Sequence, residues 1–185
     1  MLDPVHELKV RAELLQHALE VGEAAAIELL RVLPEFRKAD AETRKAAAAT
    51  MQRKHCLAVI ARELGFTSFD HAQRVLEGDT SEADVGNLLY MTPRGILNSW
   101  FADYDEARDA LAQTSTVSER RYLLAYKRHF FVAERPFIVA LGLDPDDADW
   151  AAIGWDWARP HNPDARRRLY GKLLGAQRPP KHGTN

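Results

Sequence analysis

Two helices joined by a glycine turn are encoded by residues 53–76, and this unit constrains the fold more than any other stretch of the chain. Its sequence is RKHCLAVIARELGFTSFDHAQRVL. The first helix carries one apolar stripe at helical spacing, formed by Leu57, Ile60, Ala61 and Leu64. Gly65 can adopt the left-handed conformation that ends a helix without a steric penalty. Thr67 or Ser68 can then cap a second helix, which ends at Gly78.

Three helices are predicted ahead of this turn. The first begins at Asp3, which can cap a helix whose next residue is proline, and it ends before Gly22. The second is apolar and is stopped by Pro34. The third is capped by Asp40 and continues as one long helix through an alanine-rich segment to the glycine turn. With the helix that follows the turn, they predict a four-helix module over residues 1–78.

The sequence changes in character after the polar run GDTSEAD (78–84), which is the best candidate boundary. Residues 95–104, GILNSWFADY, predict a strand that leads into a helix. Residues 122–134, YLLAYKRHFFVAE, are rich in β-favouring side chains and predict either one long strand or a hairpin that turns near Lys127. Further helices are predicted over residues 105–112 and 135–141, from the acidic segment 144–150, and over 164–174.

These elements predict a mostly helical α+β protein. We expect a helical module at residues 1–78, packed with a small α+β domain at residues 85–175 that contains a short sheet. Residues 176–185 carry too little apolar content to fold alone and are expected to form a disordered tail.

The composition is that of an ordinary globular protein. Apolar residues make up 46% of the 185 residues and charged residues 28%. No run approaches the roughly 18 consecutive apolar residues of a membrane span, and the N-terminus lacks the apolar region of a signal peptide. The single cysteine, Cys56, cannot form an internal disulfide, which is typical of a reducing compartment. We therefore predict a cytoplasmic protein with no membrane partner.

The net charge of −2 conceals an uneven distribution. Residues 79–158 carry 7 basic and 14 acidic side chains, whereas residues 159–185 carry 7 basic side chains and one acid. The basic segment includes three consecutive arginines, Arg166, Arg167 and Arg168. These arginines either balance the acidic middle of the chain or bind the phosphates of a nucleic acid.

A short pattern within residues 57–76 supports the nucleic-acid alternative. The pattern IA-x3-GF-x-S-x5-R-[VF] is matched by Ile60, Ala61, Gly65, Phe66, Ser68, Arg74 and Val75. It resembles the helix-turn-helix of arabinose-operon-type activators, and the resemblance implies a recognition helix that presents Asp70, His71, Gln73 and Arg74 to base edges. Residues 1–78 carry 11 basic and 12 acidic side chains, which is a low positive charge for a DNA reader.

A longer pattern covers residues 8–78. It combines an AL-x-x-LL-x-x-x-P-x-F helix with a later VIARE-x-GF-x-S-W motif, in which Phe69 occupies the tryptophan position. This stretch resembles a helical segment of uncharacterised bacterial proteins, where it often precedes ankyrin repeats. The resemblance implies a helical packing module for partner binding and implies no reaction.

No group of reactive residues has the spacing of a known catalytic or metal site. His55 and Cys56 are adjacent, so on a helix they point about 100° apart and cannot share a small ion. His129 or His161 can serve as a general base if it lines a cleft, but neither has a paired nucleophile. The acidic run DPDDADW (144–150) lacks the glycine and the terminal glutamate of a calcium loop. We therefore predict no catalytic residue, no metal and no cofactor, and an enzyme of an unpatterned class is the third functional hypothesis.

Three tryptophans fall within the eight residues WAAIGWDW. Such side chains ordinarily fill a core. On a helix Trp150 and Trp157 share a face while Trp155 points elsewhere, so one of the three is a candidate contact for a protein partner. The sequence therefore favours a non-enzymatic cytoplasmic interaction or adaptor protein, with a nucleic-acid-binding regulator as the alternative.

Overall fold

A computed structural model describes residues 2–79, 81–90 and 98–177. The α-helices in these ranges are α1 (Pro4–Glu20), α2 (Ala24–Leu29), α3 (Ala41–Ala48), α4 (Arg53–Glu63), α5 (Phe69–Glu77), α6 (Tyr104–Thr114), α7 (Arg135–Ala140), α8 (Ala148–Ala152) and α9 (Pro163–Ala176). The strands are β1 (Ser99–Phe101), β2 (Arg121–Tyr126) and β3 (His129–Glu134). This confirms the mostly helical α+β class.

Several helix ends lie at the capping residues that the sequence predicts. The Asp3 carboxylate accepts a hydrogen bond from the His6 N–H at 2.7 Å and caps α1. The Ser68 hydroxyl accepts from the His71 N–H at 3.1 Å and caps α5. Gly65 adopts a φ of 84°, which confirms the glycine turn between α4 and α5.

The single long helix predicted from Asp40 is wrong, because α3 and α4 are separate helices. Between them the Thr50 hydroxyl donates to the carbonyl of Ala47 at 2.9 Å, and a side chain that binds nearby backbone competes with helix continuation. Gln52 is extended, and its N–H donates to Nδ1 of His55 at 3.0 Å at the start of α4. The described part of the N-terminal segment therefore has five α-helices rather than four.

The sheet is antiparallel, with the strand order β1–β3–β2. The hairpin alternative is confirmed, because β2 and β3 are joined by a turn in which Lys127 has a φ of 52°. The Lys127 N–H donates to the carbonyl of Gly86 at 2.6 Å, and its carbonyl accepts from the Val85 N–H at 3.1 Å. These bonds hold the turn against the segment that precedes the sheet. The start of the predicted strand at residues 95–97 lies outside the described residues.

Residues 155–157 lie along the edge of β2 that β3 does not occupy. The Leu123 N–H donates to the carbonyl of Trp155 at 2.9 Å, and the Trp157 N–H donates to the carbonyl of Leu123 at 2.9 Å. Asp156 lies between these two bonds and forms a parallel bridge with Leu123. This pairing fixes the connection between α8 and α9 beside the sheet.

The two faces of the sheet contact different helices. Leu124 and Phe131 belong to a large apolar cluster that includes residues of α1, α4, α5, α8 and α9. Leu123 and Val132 alternate with them and pack with α6 in a smaller cluster. The large cluster is continuous across the predicted boundary at residues 78–84, and the division into two domains stays a prediction. So does the disordered tail, of which residues 178–185 lie outside the described ranges.

Candidate functional site

Two of the three candidate tryptophans lie in the core. Trp150 and Trp157 are each 1% exposed, and their ring centroids are 5.3 Å apart. The indole N–H of Trp150 donates to the carbonyl of Asp144 at 3.0 Å. Neither ring is accessible to a partner. Trp155 is half-buried, and the guanidinium of Arg120 lies 4.3 Å from its ring centroid, so partner binding through Trp155 stays a prediction.

Of the α5 side chains that the nucleic-acid alternative assigns to base contacts, Asp70 and Arg74 are exposed, Gln73 is half-buried and His71 is buried. His71 is 4% exposed; its Nδ1 accepts from the Thr67 N–H at 3.1 Å, so its Nε2–H donates to the Asp84 carbonyl at 2.5 Å. Arg74 forms a salt bridge with Glu82 at 2.9 Å. Gln73 is bonded to Glu77 at 3.0 Å on the exposed face of the same helix. His71 therefore packs in the interior and Arg74 already has a carboxylate partner, while nucleic-acid binding by this unit stays a prediction.

The three consecutive arginines each contact another part of the fold. Arg166 is 4% exposed and donates to the carbonyl of Trp157 at 3.0 Å. Arg167 forms a salt bridge with Asp3, at the N-terminus of α1. Arg168 donates from Nε to Asp149 at 2.8 Å, at the start of α8. In this arrangement the arginines hold α9 to α1 and α8.

Neither His129 nor His161 belongs to a recognisable reactive site among the described residues. His129 is exposed at the start of β3. His161 is exposed and lines a cavity whose lining includes no Asp or Glu among the described residues. Cys56 is completely buried, and burial raises the pKa of its thiol. Within the described ranges no group of three or more His, Cys, Asp or Glu side chains is placed to hold a metal ion.

An apolar groove lies between α1, α2 and the end of α4, with a volume of about 750 Å³. Its lining residues are Leu14, Leu15, His17, Ala18, Val21, Glu23, Ala25, Ala26, Leu29 and Glu63. Leu14 is 65% exposed and Val21 is 66% exposed, whereas Leu15 and Ala26 form a buried floor. We call this surface the α1–α2 groove. Leu14 and Val21 are thus large apolar side chains exposed beside one groove.

The α1–α2 groove carries negative charge. Glu23 and Glu63 line it, and neither forms a salt bridge with another described residue. Burial raises the pKa of Glu63, against the weaker influence of Arg11. A surface carboxylate that has no salt-bridge partner is stabilised by a Lys or Arg that a partner brings.

A second cavity, of about 380 Å³, lies between α6 and the 155–161 segment. Its polar lining residues are Arg108, Arg120, Ser115 and His161, and its apolar ones are Leu111, Ala112, Ala151, Gly154 and Trp155. We call it the arginine cavity. Its two walls are tied together by a hydrogen bond of 2.5 Å from the Tyr104 hydroxyl to Asp156. Burial, together with this bond and the charge of Asp156, raises the pKa of Tyr104 to about 12.

The sequence patterns do not predict the groove, and of the arginine cavity they single out only Trp155 and His161, in other roles. Leu14 lies off the buried stripe of α1, next to Leu15, so an exposed leucine beside the stripe was the one available signal for the groove. The arginine cavity as a whole could not be predicted, because Arg108 and Trp155 are far apart in sequence and meet only through the pairing of residues 155–157 with β2.

No helix in the described ranges is both long enough and apolar enough to cross a membrane. No known protein family matches the chain, and neither a curated protein nor a solved structure matches it. The resemblance of residues 8–78 to a bacterial helical segment stays a prediction.

Proposed function

We propose that this is a non-enzymatic interaction protein whose α1–α2 groove holds a basic amphipathic helix of a partner protein. The observation that carries the proposal is the combination of exposed Leu14 and Val21 with the unpaired carboxylates of Glu23 and Glu63 around one groove. Apolar contacts supply affinity in helix-in-groove recognition, and charge complementarity orients the helix. We further propose a cytoplasmic location, since the one cysteine is a buried free thiol.

The apolar part of the groove determines the pattern expected on the partner. A helix that lies along α1 and α2 contacts the groove with residues at i, i+3 or i+4, and i+7. Leucine- or methionine-sized side chains at these positions can bury the exposed surfaces of Leu14 and Val21. Full burial of an apolar side chain of this size stabilises a complex by about 1.5–3 kcal/mol.

The acidic part of the groove determines the sign of the partner's charge. Among the lining residues the only side chain that can carry a positive charge is His17, so the groove does not neutralise its own carboxylates. A Lys or Arg next to the partner's apolar stripe can pair with Glu23 or Glu63. An acidic helix with the same apolar pattern is repelled.

The nucleic-acid alternative is less well supported. It requires a continuous basic surface around α5, but Arg74 is paired with Glu82 and Arg166 is buried in the core. The enzyme hypothesis requires a histidine that meets carboxylates in a cleft, and the lining of the cavity at His161 contains none.

Affinity capture with groove variants tests the proposal. The chain is immobilised in three forms, the wild type, Leu14→Asn with Val21→Asn, and Val139→Asn, and bound proteins from the source cell are quantified by mass spectrometry. Val139 is a matched control because it is 57% exposed on α7, outside the groove. We expect one partner that the groove variant loses by at least about tenfold and that the control retains. A bound set that is identical for all three forms contradicts the proposal.

A charge variant separates this proposal from general stickiness. In Glu23→Lys with Glu63→Lys the apolar groove is intact but its charge is reversed. Capture of the same partner should fall, and the loss should become smaller as salt rises, because salt screens exposed charges. Stronger capture by the lysine variant points to an acidic partner and overturns the basic-helix assignment.

A further inference from the structure

The arginine cavity is lined by two arginine side chains, Arg108 and Arg120. Arg108 on α6 and Arg120 just before β2 are half-buried, and neither forms a salt bridge with another described residue. The neighbouring arginines differ, since Arg121 pairs with Glu134 and Arg135 pairs with Asp146. Two like charges that line one half-buried cavity repel each other, and a bound anion relieves this repulsion.

The backbone of Trp155 is held in an unusual conformation at the same cavity. Its φ is 55°, a region that residues other than glycine rarely adopt. The conformation is imposed from both sides, because the Trp155 N–H donates to the carbonyl of Trp150 at 2.8 Å while its carbonyl accepts from Leu123. Strain of this kind is concentrated at binding and catalytic sites.

The orientation of Trp155 prepares Arg120 to bind an anion. The Arg120 guanidinium lies over the indole at 4.3 Å from the ring centroid, and a guanidinium stacked on a ring can still donate its N–H groups from its edge. Ser115 adds a donor, since its oxygen already accepts from the Arg121 N–H at 3.2 Å and its hydroxyl hydrogen is available. The ring of His161 packs against Gly154 and completes the polar side of the cavity.

We propose that the arginine cavity binds a small organic phosphate monoester, at a site separate from the α1–α2 groove. Arg108 and Arg120 contact the phosphate oxygens, since guanidinium groups match oxyanions in charge and in geometry. The organic group lies against Leu111 and Ala112 on the wall formed by α6. The volume of about 380 Å³ is in the range of small-molecule sites.

Calorimetric titration of the full chain with phenyl phosphate tests this site. Three comparison ligands each lack one property of the ester. Inorganic phosphate lacks the organic group, benzoate lacks the second negative charge, and phenol is uncharged. We expect saturable binding of phenyl phosphate at one site, weaker binding of inorganic phosphate and of benzoate, and none of phenol. Arg108→Gln and Arg120→Gln should each lower the affinity for phenyl phosphate by about tenfold or more, because each removes charge-assisted hydrogen bonds.

Two further variants keep the test independent of folding. Arg128→Gln removes an exposed arginine at the hairpin turn and should leave the affinity unchanged. Arg120→Lys keeps the charge without the planar group and should give an intermediate affinity, and melting temperatures identify any variant that has lost its fold. The proposal is overturned if phenyl phosphate does not saturate the protein by about 10 mM, or if Arg108→Gln binds it as the wild type does. Equal affinity for inorganic phosphate overturns the assignment of an organic ester.

Discussion

The side chain of Asn87 lies directly against the Cα of Gly65, where any other residue would carry its Cβ atom. A Cβ added to Gly65 would lie 1.3 Å from Oδ1 of Asn87, and the Asn87 N–H donates to the carbonyl of Gly65 at 3.2 Å. The two residues that precede Asn87, Val85 and Gly86, form backbone hydrogen bonds with Lys127 in the β-hairpin turn. Residues 85–87 therefore connect the turn of the helical segment to the turn of the sheet.

This contact predicts that Gly65 is more sensitive to substitution than another glycine of similar conformation. Gly22 is the matched control, because its φ is 77° and a Cβ there meets no atom within 4 Å. Gly22→Ala should cost about 1 kcal/mol of unfolding free energy through backbone strain alone. Gly65→Ala should cost more than about 2 kcal/mol, because it also displaces Asn87. Urea unfolding measures both, and equal losses would show that Asn87 does not constrain this turn.

The carboxylate of Asp149 predicts a loss of stability in acid. It accepts from Arg168 and, at 2.8 Å, from Nζ of Lys172, and it thereby joins α8 to α9. Burial alone would raise the pKa of Asp149, but these hydrogen bonds and charges hold it below its ordinary value. A carboxyl whose pKa is lower in the folded state stabilises the fold above its unfolded pKa of about 4, and this contribution is lost as the pH falls through the folded pKa.

Asp149→Asn should therefore be less stable than the wild type by about 1–3 kcal/mol at pH 7, and the difference should shrink below about pH 4. Asp146→Asn is the control, because Asp146 pairs with Arg135 at the surface. That pair is exposed and screened by solvent, so its loss should have little effect. A difference for Asp149→Asn that stays constant from pH 7 to about pH 2 would contradict the assignment.

The hydroxyl of Tyr104 predicts the opposite pH dependence. Its folded pKa is raised to about 12, above an unfolded value of about 10. The neutral hydroxyl therefore stabilises the fold below about pH 10, and this contribution is lost as the pH rises towards the folded pKa. Tyr104→Phe should be less stable at pH 7 and should lose less stability than the wild type between about pH 9 and 12. If the unfolding free energies of the two proteins fall in parallel between about pH 9 and 12, the hydrogen bond from Tyr104 to Asp156 does not contribute to stability.

The neighbouring arginines of α9 predict two different costs. Arg166→Gln removes a buried donor to the carbonyl of Trp157 and should lower the unfolding free energy by about 2 kcal/mol or more. Arg167→Gln removes a half-exposed salt bridge to Asp3 and should cost less than about 1 kcal/mol. If both variants lose little unfolding free energy and both lose retention of nucleic acid at low salt, the nucleic-acid-binding regulator is favoured instead.

Helix ends could be predicted from sequence where one residue determines the local conformation. Asp3 and Ser68 each cap a helix with their own side chain, so the residue type alone indicates the helix start. Gly65 adopts a positive φ that other residues avoid. The break before α4 was missed because alanine favours helix, whereas the competing contacts come from Thr50 and Gln52. At the hairpin turn Lys127 adopts a positive φ with no glycine to signal it, so one strand and two strands could not be distinguished.

The candidate sites were less predictable because burial depends on long-range packing. Tryptophans ordinarily fill a core, as Trp150 and Trp157 do, but spacing on a helix does not show that residues 155–157 leave the helix and pair with β2. That pairing follows a turn in which Trp155 has a positive φ. Trp157 consequently enters the core, and Trp155 lines a cavity with Arg108 from another element.

Photo-crosslinking from the α1–α2 groove in the source cell tests the proposed function most directly. A photoreactive amino acid replaces Leu14 in one variant and Val139 in the other, since both positions are exposed but Leu14 alone lines the groove. Mass spectrometry then identifies the crosslinked peptides. We predict that the Leu14 variant crosslinks to one partner, in a peptide with apolar residues at i, i+3 or i+4, and i+7 flanked by Lys or Arg, and that the Val139 variant does not. Crosslinks that are the same from both positions, or none above background from Leu14, would contradict the account.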